Sequence, residues 1–323
     1  MIKVVIDNSD PTLAEADRRL ELREAEKPKR SYAGISGIGD CERKNYYRFY
    51  GVQSAPFNAK TLKNFRDGHR TEELVIEDLR GVDGLTIVDR DPESGKQIEV
   101  SDFEGHFQGH LDFEVLGIKQ APKTWHVGEV KCANQKKFDE FKKIKEKFGE
   151  KQTLFNWNMT YYVQAQLYMA YRGRKRHWTV VASAGGRDWA SCRTDYDRKQ
   201  AEYYINRAER LIFAPKILPA RIAESPDYYL CRWCEFKDVC HNKAPVVRHC
   251  RTCVWGEAGE KRSWDCLKHS RPMTIAEQAV GCPDQRYQPT FVDGQVKTVG
   301  DDFIEYETSD GTWIDRGRHG DNE

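Results

Sequence analysis

Residues 109–117, GHLDFEVLG, and residues 126–133, HVGEVKCA, read as neighbouring strands that carry two carboxylates and a lysine between them. Side chains two apart on a strand share a face, so Glu129 and Lys131 project together while Val130 turns toward the core. If the strands pair as a hairpin, Asp112 can lie opposite Glu129. Two carboxylates side by side are costly unless a cation stands between them. Mg²⁺ or Mn²⁺, a hard cation that prefers oxygen, would relieve that repulsion. The lysine can then orient or help deprotonate an attacking water whose pKa the metal lowers. Taken alone, Glu-x-Lys on a strand equally describes a salt bridge on a sheet edge.

Working outward, residues 10–27 predict a charged helix with Asp10 as cap and Pro11 in its first turn. Further helices are expected around Cys41 and over NFRDGHRTEELVIEDLR. The stretches KQIEVSDFEG, HFQGHLDFEVLG and TWHVGEVKCA read as consecutive strands of one sheet. A lysine-rich amphipathic helix follows at 135–151, then a helix in NWNMTYYVQAQLYMAYRG. Strands are expected at HWTVVASAGG and WASCRTDYD, and a long helix over 197–213. The order α, β-meander, α, β, β, α describes an α/β core. Beyond it the chain is rich in loops and cysteine, and residues 287–318 read as short strands with Asp-Gly turns at 293–294 and 310–311.

The chain has 323 residues, 39% hydrophobic and 32% charged, enough for a sizeable core under a polar surface. No apolar run is long enough to span a membrane, and MIKVVIDNSDPTL lacks the apolar stretch of a secretory signal. The expected location is the cytoplasm, a host's cytoplasm if the gene belongs to a phage. In a reducing compartment, ten cysteines favour metal ligands over disulfides. The net charge of +1 neither demands nor excludes a polyanionic partner. Two local basic clusters, the 135–151 helix and Arg172, Arg174, Lys175 and Arg176, read as solvated surface or as guides for a phosphate backbone.

Three features extend the Asp112, Glu129, Lys131 set. Gly68-His69 lies on the preceding helix with Glu72 and Glu73 one turn on. Gln164 and Tyr168 are spaced i, i+4 on a downstream helix. In this order the elements resemble the PD-(D/E)XK nuclease superfamily, in its RecB-like branch, over about residues 31–241. The resemblance implies a restriction-endonuclease-like central mixed sheet flanked by helices. It implies His69, Asp112, Glu129 and the Val130 carbonyl as ligands of Mg²⁺ or Mn²⁺, Lys131 as the water-activating residue, and Gln164 and Tyr168 as site-lining contacts to the DNA strand. Leu111 stands where the superfamily name places proline.

The segment CRWCEFKDVC sets Cys231, Cys234 and Cys240 as C-x₂-C-x₅-C, one ligand short of a tetrahedral site or a cubane cluster. Zinc and iron–sulfur chemistry both suit four thiolates. Some RecB-like nucleases, the AddB-type subunits and CRISPR-associated exonucleases, carry a [4Fe–4S] cluster on such a triplet plus one distant upstream cysteine. SGIGDCERKNYYRFYG, with Ser36, Cys41, Arg43 and Tyr47, resembles that upstream motif, which implies Cys41 as the fourth ligand. A cluster joining residues 41 and 231 would close a loop around the whole core and act as a staple. A second group, Cys250, Cys253, Cys266 and Cys282, has the spacing of a zinc module, with His269 or His249 available as a substitute ligand. Cys132 and Cys192, on strands, are expected in the core.

The expected organisation is a helical extension at 1–30, a nuclease core with an iron–sulfur clasp at 31–245, a small zinc-binding module at 246–286 and a β-rich tail at 287–323. The function this implies is a metal-dependent DNA exonuclease acting on ends or single strands and leaving a 5′-phosphate, in phage or mobile-element recombination, repair or CRISPR spacer processing. One or two metal ions would serve. Without a Walker A motif in the sequence, unwinding would fall to a helicase or another recombination partner. The alternatives are a structure-selective endonuclease on the same fold and a non-catalytic iron–sulfur protein that binds DNA or senses redox state.

Overall fold

The computed structural model describes residues 10–214 and 216–317. Asp10 starts the first helix, α1 (Pro11–Ala25), its carboxylate accepting the Thr12 N–H at 2.8 Å with Pro11 in the first turn. A two-residue strand, β1 (Ala33–Gly34), precedes α2 (Glu42–Phe49) and α3 (Ala59–Arg80). Five strands follow: β2 (Thr86–Val88), β3 (Glu99–Asp102), β4 (Phe107–His110), β5 (Phe113–Leu116) and β6 (His126–Ala133). Then come α4 (Gln135–Phe148), α5 (Thr153–Trp157), α6 (Met159–Tyr171), β7 (Arg176–Ser183), β8 (Trp189–Asp195) and α7 (Arg198–Phe213).

The central sheet has the order β2-β5-β6-β7-β8. Its β6–β7 pair is parallel and the other three pairs are antiparallel. A parallel pair needs a crossover, which α4 to α6 supply. Alternation along the strands feeds two hydrophobic clusters. Val115, Val130 and Val180 pack with Val75, Ile76 and Leu79 of α3. Val181 and Cys192 pack with Phe138, Phe141, Leu154 and Ala165 of α4 to α6. The chain is thus a mixed α/β protein whose central sheet is flanked by helices.

The single sheet expected for residues 96–133 is in fact two. β3 and β4 join β1 in a separate sheet of order β1-β4-β3, while β5 and β6 belong to the central one. The chain crosses between sheets at Leu111 and Asp112, so Asp112 lies in a bend and not within a strand. Packing fixes that crossing. A Cβ on Gly109 would stand 2.7 Å from the Tyr168 hydroxyl and 2.9 Å from Ile35 Cβ, so only glycine passes between them. Leu111 is wholly buried.

The remaining elements are α8 (Lys237–His241), β9 (Gly256–Ala258), β10 (Trp264–Cys266), β11 (Arg271–Met273), α9 (Ile275–Val280), β12 (Gly294–Val299), β13 (Ile304–Thr308) and β14 (Gly311–Asp315). Residues 246–286 are built into the core. Trp264 is wholly buried, packs its ring 5.1 Å from that of Phe49 and donates its indole N–H to the Ser31 carbonyl at 3.0 Å. The β13–β14 hairpin turns on Ser309-Asp310, one residue earlier than expected, with Gly311 opening β14 opposite Thr308. Asp293-Gly294 instead enters β12, and residues 300–303 make the turn to β13.

Candidate active site

Pairing of β5 with β6 sets the site. Phe113 faces Gly128, and a Cβ there would come within 2.1 Å of the Phe113 ring. Extending this register by one residue brings Asp112 opposite Glu129, as the hairpin reading requires. Asp112 Oδ2 accepts the Val130 N–H at 2.8 Å. Both carboxylates are buried, Asp112 at 8% and Glu129 at 5% exposure. Glu129 Oε1 accepts Gln164 Nε2 at 2.9 Å and is ion-paired with Lys131 Nζ. Glu129 Oε2 is buried without a hydrogen-bond partner. Such an atom costs free energy unless something polar or cationic meets it.

The electrostatics follow from this crowding. Burial first, and then the charge of Glu129, push the Asp112 carboxyl well above its usual range. The same two causes raise Glu72, on α3, so this residue belongs to the group although only its position after His69 hinted at it. Burial pulls Lys131 down, but Glu129 and Asp112 outweigh it and hold the ammonium above its ordinary range. Lys131 is therefore a cation in this arrangement, its Nζ lying 4.6 Å from the centre of the Tyr161 ring. Tyr161 stands one turn before Gln164 and was not anticipated.

The other expected site residues divide. His69 is exposed on α3, one turn before Glu72. Val130 points its side chain into the α3 cluster. Gln164 is 4% exposed and orients Glu129. Tyr168 is 1% exposed, and its hydroxyl donates to the His110 carbonyl at 2.7 Å. A group so enclosed does not reach a DNA strand; Tyr168 braces the sheet crossing that carries Asp112.

The two basic clusters also differ. Helix α4 buries Phe138 and Phe141 and leaves Lys136, Lys137, Lys142 and Lys143 exposed, the amphipathic pattern expected. Arg172 and Arg174 are instead committed to the buried Glu114, at 2.9 and 2.8 Å. Arg176 pairs with Asp195 at 3.2 Å, and Lys175 covers the Tyr196 ring. This cluster is largely structural.

Cys41 caps α2 and opens on the same cavity as Cys231, Cys234 and Cys240, across 190 residues of chain. Arg43, Lys44, Arg221 and Lys237 stand around that cavity. Cys250, Cys253, Cys266 and Cys282 line another small cavity with His269 and Asp284. Among the described residues, His269, Cys282 and Asp284 are the trio whose ligand atoms lie within 4.8 Å of one another. His249 turns away, its Nε2 3.0 Å from the Gly51 carbonyl. Cys192 is buried as expected, whereas Cys132 is exposed. No helix among the described residues is long and apolar enough to cross a membrane.

No protein-family model and no curated protein sequence matches the chain. Among solved structures, that of SSO0001 aligns at a TM-score of 0.41 and 12% identity, covering 72% of this chain and 96% of that one. An alkaline exonuclease from Laribacter hongkongensis, LHK-Exo, aligns at 0.36 and 14%, covering 60% of this chain and 90% of that one. Its complex with dAMP aligns at 0.36 and 15%, covering 56% and 86%. Likenesses this shallow carry no functional argument, and the reading of the site rests on its own geometry.

Proposed function

We propose that the chain is a divalent-metal-dependent deoxyribonuclease of the PD-(D/E)XK type, an exonuclease working on DNA ends or single strands. The observation that carries this reading is the unpartnered, buried Glu129 Oε2 beside Asp112, with Lys131 and Gln164 on the other oxygen of the same carboxylate. Asp112 and Glu129 are the residues that would hold Mg²⁺ or Mn²⁺, with the Val130 carbonyl and His69 as further donors and Glu72 beside them. When bound, the ion supplies positive charge to the phosphodiester and acidifies water.

The chain's own groups complete the arrangement. Gln164 fixes the Glu129 carboxylate, leaving its second oxygen free to face a cation. Lys131 keeps its proton and donates hydrogen bonds that orient a water or a phosphate oxygen for in-line attack. Tyr168 holds the crossing that places Asp112. The lysines of α4 offer an electrostatic track for the phosphate backbone.

End-labelled single- and double-stranded DNA, incubated with Mg²⁺ or Mn²⁺, provides the test. Wild type should release short products and Glu129→Ala should not; a wild type that cleaves neither substrate with either ion would overturn the proposal. Circular single-stranded DNA separates the two modes, since only an endonuclease cuts it.

The cavity at Cys41 suits a [4Fe–4S] staple, in that four cysteines line it with cationic side chains around them that would offset a cluster's negative charge. Brown colour and about four irons per chain are expected of protein purified without oxygen; a colourless protein with zinc in place of that iron would reject the cluster.

A further inference from the structure

We infer that Cys250, Cys253, Cys266 and Cys282 form a structural Zn²⁺ site whose task is to brace α2, the helix that begins at Cys41. The four cysteines line one small cavity and come from the knuckle at 250–253, from β10 and from the turn after α9; the ligand atoms already within 4.8 Å of one another there are those of His269, Cys282 and Asp284. His269 and Asp284 complete the wall. His269 Nε2 lies 3.2 Å from Asp284 Oδ2 and 3.9 Å from Cys282 Sγ, so Asp284 holds the imidazole beside the sulfur. Four thiolates suit a borderline-soft, tetrahedral ion such as Zn²⁺.

A second observation points to the same ion. Arg251, between the first two cysteines, is 4% exposed. Its guanidinium donates to the carbonyls of Arg30 at 3.0 Å, of Arg48 at 3.2 Å and of Phe49, and covers the Trp264 ring at 5.0 Å. Carbonyls take its two terminal nitrogens, its Nε is buried without a partner and its charge is uncompensated, and a buried cation requires a nearby anion. Four thiolates around one Zn²⁺ carry a net charge of minus two, next to Arg251 in the chain. Lys216, donating to the Val254 and Gly256 carbonyls at 2.8 and 2.7 Å, adds a second cation to the knuckle.

The same contacts give the site its purpose. The last carbonyls of a helix lack intrahelical donors. For α2, backbone N–H groups of Tyr50, Val52 and Gly51 serve Tyr46, Tyr47 and Arg48, and the cysteine knuckle supplies the rest: Arg251 serves Phe49 and shares Arg48, and the neighbouring His249 serves Gly51, just past the helix, at 3.0 Å. An ion that sets the knuckle therefore sets the far end of α2.

Metal content of the purified full-length protein tests the site. One zinc per chain is expected in wild type, in Glu129→Ala, which separates this site from the proposed catalytic ions, and in Cys132→Ser. Cys266→Ser and Cys282→Ser should lose it. Wild type with zinc far below one per chain would overturn the site, and loss of zinc in His269→Ala would overturn the four-thiolate ligand set. Hydrogen exchange tests the brace. Amides of residues 46–51 should exchange about tenfold faster in Cys266→Ser than in wild type or Cys132→Ser. Where Cys266→Ser does not fold, wild type stripped with a zinc chelator, its iron content checked in parallel, gives the same comparison. Unchanged exchange after zinc loss would overturn the brace.

Discussion

Asp112 and Glu114 lie two residues apart, are both buried, and have opposite fates. Glu114 receives two guanidiniums; burial raises its carboxyl, but Arg174 and Arg172 outweigh that and leave it below its ordinary range. Asp112 receives one backbone N–H and faces Glu129, so both burial and its neighbour drive it upward. The first carboxylate is finished within the protein. The second, with its partner's bare oxygen, is not, and in the proposed reading a divalent cation finishes it. Buried charge alone does not mark a site; buried charge left unsatisfied does.

The largest effect expected from this contrast is on cleavage. Asp112→Asn should reduce it at least about a thousandfold, while raising the melting temperature of metal-free protein, because a repelling charge is gone. A fall in both, measured by product release and calorimetry, would place Asp112 with Glu114 as a structural group. Glu114→Gln should do the reverse, costing about 3 kcal/mol by leaving two arginines without their shared anion, with cleavage rate per folded molecule retained. Denaturant titration alongside the DNA assay decides it. Gln164→Ala should act between these, lowering cleavage about 10- to 100-fold by freeing the Glu129 carboxylate, with little change in stability.

The smallest effect concerns pH. His177 is buried neutral behind the site, its pKa pushed down to about 3 first by burial and then by Lys131 and His126. A histidine depressed on folding adds stability above its unfolded value, and that stability is lost as pH falls through the window from about 6.5 toward 3. Melting temperature should therefore decline steadily below pH 6.5, and His177→Gln should flatten the decline.

Much of the site was legible because it is local. Glu129 and Lys131 share a strand face by period alone, and Gln164 lies on one helix face with Tyr168. The Asp112–Glu129 juxtaposition followed from a hairpin, and the observed register supports it through Phe113 and Gly128. What sequence hid is what distance hides. Arg172 and Arg174 looked like free basic surface because Glu114 lies 58 and 60 residues away. Tyr168 looked like a DNA contact because nothing in its helix reveals that Gly109 and His110 close over it. The split of the meander carried no glycine or proline signal at Leu111-Asp112, so one sheet was the natural reading.

That split has a bearing on the protein's life in the cell. Asp112 sits on the seam between two sheets, and its position depends on β1 from residue 33, on β6 and on the Tyr168 hydroxyl of α6. A nascent chain on the ribosome thus holds no assembled centre until residues past 168 have emerged and both sheets have docked. Competence for the proposed cleavage would arrive late and all together, and partly made or partly unfolded copies would lack it.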